Sequence, residues 1–291
     1  MPLSEILITG GAGSLGIRLS LALQQKGRNI RVFDLPHCDY ELVEGLENVR
    51  ILRGDIRDTG TIEEAIAGTQ VVIHLAALLP PNSERDRPLT WKINVEGTQR
   101  VIDACNRLRT PPHLIFASSV STYGDTSTEA LPLKPSRGQN PSDIYGESKV
   151  AAEELILTSG LPATILRISG IAVAAFLDPP EVWPFTAQQR IEFIAANDLV
   201  TCLVNAVDNG DAIGKIFNIA GGPSWQVNGE EYVRRFCHTM ELPFEESCFS
   251  EEPGWLDWYE TGESQHLLCY QDTSFDRFHQ VLRDAIEEAL A

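Results

Sequence analysis

Short apolar runs alternate with amphipathic stretches of helical length along the first two thirds of the chain. The runs are four to seven residues long, and several end in glycine or aspartate, as buried strands do. They predict strands at Leu3–Thr9, Asn29–Asp34, Val49–Leu52, Val71–Leu75, Leu114–Ala117, Ala163–Leu166 and Lys215–Ala220. Apolar residues three and four positions apart predict helices at Leu15–Lys26, Thr61–Ala67, Leu89–Leu108, Ser142–Thr158 and Asp198–Asn209.

This alternation predicts the fold class. When strands alternate with helices, the strands form a parallel sheet and the helices cover both of its faces. With right-handed crossovers this gives an α/β, doubly wound (Rossmann) fold. The regular alternation stops after Arg167. Beyond it the pattern predicts the helix at Asp198–Asn209 and the strand at Lys215–Ala220 named above, and then helices at Glu230–Met240 and Ser274–Leu290. We therefore expect a first domain over residues 1–168, to which residues 197–220 return. Residues 169–196 and 221–291 would form a smaller C-terminal α+β lobe that binds substrate.

Composition narrows the possible partners. The chain has 291 residues, of which 23 are Lys or Arg and 41 are Asp or Glu, so its net charge is −18. This charge argues against nucleic acid or an anionic membrane as a partner. No apolar stretch reaches the ~18 residues of a membrane span, and a strand predicted from residue 3 leaves no room for a secretory signal. We expect a cytoplasmic protein.

The cysteines and histidines do not suggest a metal centre. Neither a C-x-x-C pair nor an H-E-x-x-H sequence occurs among the six cysteines and six histidines. These are the spacings that zinc and dithiol sites use most often. No metal is expected.

A glycine-rich loop follows the first predicted strand and opens the first predicted helix. It reads Gly10-x-x-Gly13-x-x-Gly16, the arrangement that binds a dinucleotide. Gly10 permits a tight turn, Gly13 lets a pyrophosphate approach the backbone, and Gly16 lets the helix pack closely on the strand. The N–H groups at the start of the helix, at Ser14 and Leu15, would face the phosphates.

Asp34 ends the second predicted strand and predicts the choice of cofactor. A carboxylate there accepts hydrogen bonds from the adenosine ribose diol and repels a 2′-phosphate, so we expect NAD rather than NADP. The alternative interpretation is that Asp34 is an ordinary solvated acidic residue at the end of a strand. Asp55, which follows the third strand, could equally be a simple turn or helix cap.

Tyr145 and Lys149 lie four positions apart on a predicted helix and therefore share a face. A close ammonium would favour the phenolate and lower the pKa of Tyr145, and a bound oxidised nicotinamide would act in the same direction. Ser119, just beyond the fifth strand, would hold the substrate oxygen. Together the three residues would form a general acid/base centre beside a hydride acceptor. Such a Tyr–Lys pair also arises by chance on many helices, and the glycine loop is what favours catalysis here.

Taken together, these motifs resemble the extended short-chain dehydrogenase/reductase family, in its NAD-dependent epimerase/dehydratase group of the UDP-glucose 4-epimerase type. The resemblance covers about residues 4 to 170. Its motifs are Thr9-Gly10-Gly11-Ala12-Gly13-Ser14-Leu15-Gly16, Gly54-Asp55-Ile56, His74-Leu75-Ala76-Ala77, Asn94-Val95-Glu96-Gly97-Thr98, Ala117-Ser118-Ser119, Tyr123-Gly124 and Tyr145-Gly146-Glu147-Ser148-Lys149.

The resemblance implies further roles for individual residues. Asp55 and Ile56 would contact the adenine, and the segment Leu75, Ala76 and Ala77 would line the cofactor cleft. Ser119, Tyr145 and Lys149 would be catalytic, with Lys149 also gripping the nicotinamide ribose. Family members commonly pair as homodimers through two long helices, here at Leu89–Leu108 and Ser142–Thr158.

The chain departs from its family at positions that concern the substrate. Sugar 4,6-dehydratases resemble one another in an Asp-Glu pair that Val120 and Ser121 replace here, which disfavours a dehydratase. Gly170 stands where nucleotide-sugar epimerases usually have an Asn. Arg190 is the only basic residue between Arg167 and Lys215, which is few for binding a diphosphate.

Three functions remain open from the sequence. The leading one is an NAD-dependent sugar epimerase/oxidoreductase that moves a hydride from a carbohydrate hydroxyl carbon to NAD. The alternative is a simple NAD-dependent dehydrogenase of a small polyol, sugar or hydroxy acid. A second alternative is a non-catalytic NAD sensor, which the retention of both Tyr145 and Lys149 argues against.

Overall fold

Residues 5–176 and 178–290 are described by the computed structural model of the protein. The strands are β1 (Glu5–Thr9), β2 (Asn29–Asp34), β3 (Val49–Arg53), β4 (Val71–His74), β5 (His113–Ser119), β6 (Ala163–Ile168), β7 (Gly170–Ala172), β8 (Arg190–Ile191), β9 (Phe193–Ala195), β10 (Ile216–Ile219) and β11 (Val227–Asn228). All seven predicted strands are present, although the first two residues of the strand predicted at Leu3–Thr9 lie outside the described residues.

The helices also follow the predicted order. They are α1 (Ser14–Gln25), α2 (Thr59–Ile66), α3 (Asn82–Arg85), α4 (Arg87–Thr90), α5 (Gly97–Asn106), α6 (Ile144–Thr158), α7 (Ala196–Val207), α8 (Gly229–Met240), α9 (Gly262–Leu268) and α10 (Phe275–Leu290). The pattern did not predict α3 and α9, which have only four and seven residues. Among the described residues, no helix is both long enough and apolar enough to cross a membrane.

A seven-stranded sheet has the strand order β10-β6-β5-β4-β1-β2-β3. The pairings from β3 through β2, β1 and β4 to β5 are all parallel. The chain moves outward from β1 to β3 and then returns to place β4 on the other side of β1. This order confirms the doubly wound α/β fold, and it puts a topological switch point between the carboxyl ends of β1 and β4, where ligands bind in such sheets.

The helix predicted at Leu89–Leu108 is not α-helical throughout. The structure has α4, then a π-helical turn at Trp91–Glu96, and then α5. Asn94 lies in the wide turn, where its side chain bonds both backbone groups of Leu78, accepting from the N–H at 2.7 Å and donating to the carbonyl at 3.1 Å. Helical residues nevertheless run without a gap from Arg87 to Asn106, so the long helical pattern predicted at Leu89–Leu108 is present; the apolar spacing did not indicate its π-helical turn.

Two compact units divide the chain. The first contains the chain up to Ser119 together with residues 143–166 and 202–216, and it holds the glycine loop, Tyr145 and Lys149. The second contains residues 120–142 and 167–201 and the chain from Phe217 onward. The predicted division assigned residues 120–142 to the first domain, whereas in the structure they belong to the second unit.

The second unit mixes short strands with helices. Strands β7 and β9 pair in parallel, and β8 and β11 pair antiparallel. Helices α8 and α10 pack together, over a core that is rich in aromatic side chains: Trp183, Phe185, Trp225, Tyr232, Phe275 and Phe278. This is the α+β character that the sequence predicted for the C-terminal part.

Candidate active site

The glycine loop packs backbone against backbone. Gly10 has a φ of +71°, and a Cβ atom there would lie 2.7 Å from the Ala76 nitrogen. At Gly16 a Cβ atom would lie 2.5 Å from the Gly10 carbonyl oxygen and 2.6 Å from the Gly11 Cα. Only glycine fits at these two positions, so the loop has the close approach that the sequence predicted.

The first turn of α1 is open to an anion. Gly13 is the N-cap residue, and no side chain hydrogen-bonds to the helix start. The first N–H groups of a helix have no partner within the helix, and together with the helix dipole they favour a phosphate. The donors therefore suit the pyrophosphate of a dinucleotide, with Ser14 and Leu15 in the first turn.

Asp34 connects the end of β2 to the glycine loop. Its Oδ2 accepts a hydrogen bond from the Ala12 N–H at 3.0 Å, and its Oδ1 accepts one from the Leu35 N–H at 2.8 Å. The carboxylate is half-buried and is held at the edge of the loop. Oδ1 also accepts from the Cys38 thiol at 3.6 Å, so Oδ2 is the oxygen that retains a lone pair for a ribose hydroxyl.

Asp55 is engaged within its own turn. Its carboxylate accepts from the Arg57 guanidinium at 2.6 to 3.0 Å, and this hydrogen bonding lowers the pKa of Asp55. Ile56 is buried, and a Cβ atom on Gly97 would lie 3.1 Å from its side chain. A contact of Asp55 and Ile56 with adenine stays a prediction.

Buried His74 ends β4, directly before the segment from Leu75 to Ala77. The Thr98 hydroxyl donates to the Asn94 carbonyl oxygen at 2.6 Å, so it must accept from His74 Nε2–H at 2.9 Å. The Nδ1 atom then accepts from the Thr9 hydroxyl at 2.6 Å. Burial, with a smaller effect of Lys149, lowers the pKa of His74 to about 3, so the imidazole is neutral. Leu75, Ala76 and Ala77 themselves are half-buried.

Lys149 is almost completely buried on α6. Its Nζ donates to the Ala117 carbonyl oxygen at 2.7 Å and lies 5.6 Å from the centre of the Tyr145 ring. It also lies 4.7 Å from the centre of the Phe116 ring. Burial lowers the pKa of Lys149 to about 7, against the opposing charge of Glu153. The predicted proximity of Tyr145 and Lys149 on one helix face is present in the structure.

The pKa of Tyr145 differs from the expectation. Burial and the negative charge of Asp143 raise it, whereas the sequence argument expected the ammonium to lower it. One reason is that Lys149 Nζ donates its hydrogen bond to a backbone carbonyl on β5 and not to the Tyr145 oxygen. The other is that burial disfavours the charged phenolate more than the nearby ammonium favours it. The protein groups alone therefore keep the Tyr145 hydroxyl protonated.

Ser119 completes the predicted set at the end of β5. Its side chain is buried, and it stands two residues after Ala117, whose carbonyl accepts from Lys149. The same unit of the structure therefore contains Ser119, Tyr145 and Lys149, at the end of β5 and in the first turns of α6.

Two residues that position α6 were not identified from the sequence. Glu84 accepts from the N–H groups of Ile144 and Tyr145 at 2.9 and 3.0 Å, and Asp143 accepts from that of Gly146 at 2.6 Å. Glu84 lies 61 residues before Tyr145, so no local pattern could connect the two. The Asp143 cap, by contrast, is a signal that could have been found, because Asp before a helix is a common N-cap.

A second missed group links α6 to β5 and to the π-helical turn. Glu153 is 1% exposed and accepts from the Ser118 hydroxyl at 2.5 Å. Asn94 donates to the Ser148 hydroxyl oxygen at 2.9 Å, and Ser148 donates to the Tyr145 carbonyl oxygen at 2.7 Å. Each turn of α6 near Tyr145 is thus tied to another element of the same unit.

Known proteins are similar to this chain in sequence. Residues 6–174 match the model of the NAD dependent epimerase/dehydratase family. D-erythronate dehydrogenase of Cupriavidus necator is 31% identical over 161 residues, which are 52% of this chain and 49% of that protein. Short-chain dehydrogenase/reductase family 42E member 1 of Xenopus laevis is 32% identical over 272 residues, 82% of this chain and 68% of that protein.

The fold is shared with solved structures at low sequence identity. A short-chain dehydrogenase/reductase superfamily protein of Agrobacterium tumefaciens, solved with bound NAD, has a TM-score of 0.82 at 23% identity, covering 99% of this chain and 98% of that chain. UDP-glucuronic acid 4-epimerase of Bacillus cereus, solved with UDP-glucuronic acid and NAD, has a TM-score of 0.83 at 20% identity, covering 98% and 99%.

The match covers only part of the length of some of these relatives. This chain spans about half the length of D-erythronate dehydrogenase and of 3 beta-hydroxysteroid dehydrogenase type 7 of Mus musculus. The family model, however, matches more than half of this chain and covers the glycine loop, β5 and α6. The chain belongs to the NAD-dependent epimerase/dehydratase family.

Proposed function

We propose that the protein is an NAD-dependent oxidoreductase that oxidises a secondary hydroxyl group of a small, carbohydrate-like molecule. The observation that carries this proposal is the buried ammonium of Lys149, placed beside the Tyr145 ring and hydrogen-bonded to β5 two residues before Ser119. A buried lysine with a strongly lowered pKa is unfavourable for folding and is typical of functional sites.

The three side chains divide the chemistry. The Ser119 hydroxyl would hold the substrate oxygen, and Tyr145 would accept the hydroxyl proton as that oxygen becomes a carbonyl. Lys149 would hold the nicotinamide ribose and stabilise the phenolate. NAD, when bound, would supply the hydride acceptor. Because the protein groups alone raise the pKa of Tyr145, deprotonation would depend on the positive charge that the cofactor brings.

The cofactor would lie along the switch point of the sheet. Gly10, Gly13, Ser14, Leu15 and Gly16 would hold the pyrophosphate, and Asp34 would bind the adenosine ribose. The residues Asp55, Ile56, Leu75, Ala76 and Ala77 would line the remainder of the site.

Packing at Gly170 favours a dehydrogenase over a nucleotide-sugar epimerase. A Cβ atom at Gly170 would lie 2.4 Å from the Phe193 ring, so the asparagine that nucleotide-sugar epimerases usually have there would fit only if that ring moved. The one basic residue of this segment, Arg190, is already committed to the buried Asp257 carboxylate at 2.8 and 3.0 Å. Both observations support a substrate without a nucleotide diphosphate.

A homodimer is a further part of the proposal. It would form through α5 and α6, where the Leu157 side chain is 59% exposed. Light scattering coupled to size-exclusion chromatography would test it, and a monomer at micromolar concentration would contradict it. The cytoplasmic location also stays a prediction.

The first experiment is a screen of polyols, aldonic acids and simple sugars for NADH formation. With a substrate in hand, Tyr145→Phe is expected to lower kcat by about 10²- to 10⁴-fold while NAD binding is retained. The matched control is Tyr232→Phe, which removes a hydroxyl from the core of the second unit and should leave kcat unchanged. A Tyr145→Phe variant with full kcat would contradict the proposed mechanism.

The bound cofactor distinguishes the two reactions. An epimerase regenerates NAD in each cycle and has no need to release it, whereas a dehydrogenase must release NADH. We expect protein that purifies largely without cofactor and binds added NAD reversibly by calorimetry. NAD that remains bound through purification, with no net NADH formation from any substrate, would instead support the epimerase.

A further inference from the structure

A groove runs between α8 and α10 in the second unit. The residues proposed above for catalysis belong to the first unit and to earlier parts of the sequence. The volume of the groove is about 380 Å³, which lies in the range of small-molecule sites. On each helix the lining residues are three or four positions apart and therefore share one face. They are Arg235, His238 and Thr239 from α8, and Asp276, His279, Gln280 and Arg283 from α10.

The groove concentrates basic side chains on a strongly acidic protein. Two arginines and two histidines line it, although the chain has only 23 Lys and Arg residues against 41 Asp and Glu. The one acid that lines it, Asp276, pairs with Arg235 at 2.5 Å. A local positive field of this kind attracts anions even when the whole protein repels them.

Two of these basic groups are uncommitted. Neither Arg283 nor His238 has a hydrogen-bond or ion-pair partner among the described residues, and both side chains are exposed. Arg235 is fixed by Asp276 and by the Phe275 ring, whose centre lies 5.3 Å from its guanidinium carbon. One oriented guanidinium and two free basic groups therefore face the same space.

His279 adds a buried polar atom without a partner. The Thr239 hydroxyl donates to the Arg235 carbonyl oxygen at 2.9 Å, so it must accept from His279 Nδ1–H at 2.9 Å. The Nε2 atom is then the unprotonated one, and it has no hydrogen-bond partner among the described residues although the side chain is 4% exposed. This atom is an acceptor in the neutral ring, and it becomes a donor to a bound anion only when His279 takes up a second proton.

The charges around His279 explain its state. Burial and the positive groups Arg235, Arg283 and His238 lower its pKa to about 4, and Asp276 opposes them. These groups face it from both α8 and α10. An anion bound beside Arg235 and Arg283 would offset their effect and raise the pKa of His279.

We propose that the groove between α8 and α10 binds the phosphoryl group of a small phosphorylated molecule. Arg235 and His238 on α8 and Arg283 on α10 supply the donors. A tetrahedral phosphate has enough oxygens to accept from all of them, whereas a carboxylate has two. The remaining volume of the groove accommodates the body of the molecule. The site is independent of the proposed reaction, so it stands whether or not the protein is a dehydrogenase.

The test follows the histidine side chains by NMR while inorganic phosphate is added at pH 7 and constant ionic strength. The chain has six histidines, of which only His238 and His279 line the groove. We expect their signals to move and saturate at millimolar phosphate while those of His37, His74, His113 and His266 stay in place. Uniform movement of all six, or no saturation, would overturn the proposal.

Two arginine variants of equal charge separate a specific site from general attraction. Arg283→Gln is expected to weaken phosphate binding at least about tenfold, the effect of losing one charge-assisted hydrogen bond. Arg234→Gln is the matched control, because Arg234 pairs with Glu230 and lies over the Phe244 ring. Equal weakening in both variants would overturn the proposal, and unmoved signals of the other four histidines would show that each variant is folded.

Acetate at the same ionic strength tests the chemical class. We expect acetate to leave the His238 and His279 signals nearly unchanged, and sulfate to move them as phosphate does. Acetate binding as tight as phosphate binding would overturn the assignment to a phosphoryl group.

Discussion

The ammonium of Lys149 is buried at a cost to folding, because its pKa falls from 10.5 to about 7. A lowered lysine pKa means that burial disfavours the charged form, even with the attraction of Glu153 included. Between pH 7 and 10.5 the unfolded chain binds this proton and the folded protein does not. The contribution of Lys149 to stability therefore improves as the pH rises through this window.

Lys149→Met should separate function from stability. We expect the variant to lose oxidoreductase activity and yet to be as stable as the parent protein, or more stable by about 1–4 kcal/mol at pH 7. Denaturant unfolding at pH 7 and pH 9 would measure this difference, which should shrink at the higher pH. A variant that is less stable at pH 7 would show that the ammonium contributes net stability.

The expected preference for NAD over NADP depends on the carboxylate of Asp34. Asp34→Asn retains an oxygen that can accept from Ala12 N–H or Leu35 N–H and removes the charge that repels a 2′-phosphate. We expect the ratio of NAD to NADP affinity, measured by calorimetry, to fall by about tenfold or more, since a close charge pair contributes on the order of kcal/mol. Asp39→Asn removes an equal charge nearby and should leave the ratio unchanged; a fall in both variants would contradict this role for Asp34.

At the scale of elements, α6 is positioned by three neighbours rather than by its own sequence. Glu84 binds its first N–H groups, Asn94 reaches Ser148 in its first turns, and Ser118 on β5 bonds Glu153. The position of Tyr145 therefore depends on residues that are far away in the chain. Periodicity predicted the helix and spacing placed Tyr145 and Lys149 on one face of it, but these anchors only become neighbours when the chain folds.

Glu153 should support the charge of Lys149, if the proposed function holds. Glu153→Gln is expected to lower the pKa of Lys149 further, because the carboxylate opposes the effect of burial. The pH profile of kcat/KM should then begin its alkaline fall at a lower pH, and the KM for NAD should rise. Glu154→Gln, on the exposed side of the same helix, is the matched control. A loss of activity at every pH with an unshifted profile would indicate that Glu153 has only a structural role.

At the scale of the whole molecule, the net charge of −18 opposes folding through self-repulsion. Salt screens exposed charges within about 8–10 Å at ionic strengths near 0.1 M. We expect the Tm to rise by about 2–4 °C, or on the order of 1 kcal/mol, between 20 and 300 mM salt. Calorimetry in NaCl and in KCl should give the same rise, because the effect depends on ionic strength; a fall in Tm in both salts would contradict it.

The division of the whole chain also depends on tertiary contacts. Residues 120–142 lie between β5 and α6 in sequence but belong to the second unit. Their membership is decided by distant partners within that unit, such as Leu133, whose N–H donates to the Trp258 carbonyl oxygen at 2.9 Å. Local patterns indicate where elements begin and end, and they do not indicate which unit an irregular segment joins.

The sequence by itself determined the features that depend on short-range order. Alternating periodicity determined the strands, the helices and the doubly wound fold class, three glycines determined the loop, and spacing placed Tyr145 and Lys149 on one face. Only the tertiary structure decided that Lys149 is buried against β5, that Glu84 caps α6, and that Phe193 leaves no room for a side chain at Gly170. The reason is physical: periodicity and turn chemistry act over a few residues, whereas burial, pKa values and steric exclusion arise from groups that are distant in sequence and meet only in the folded chain.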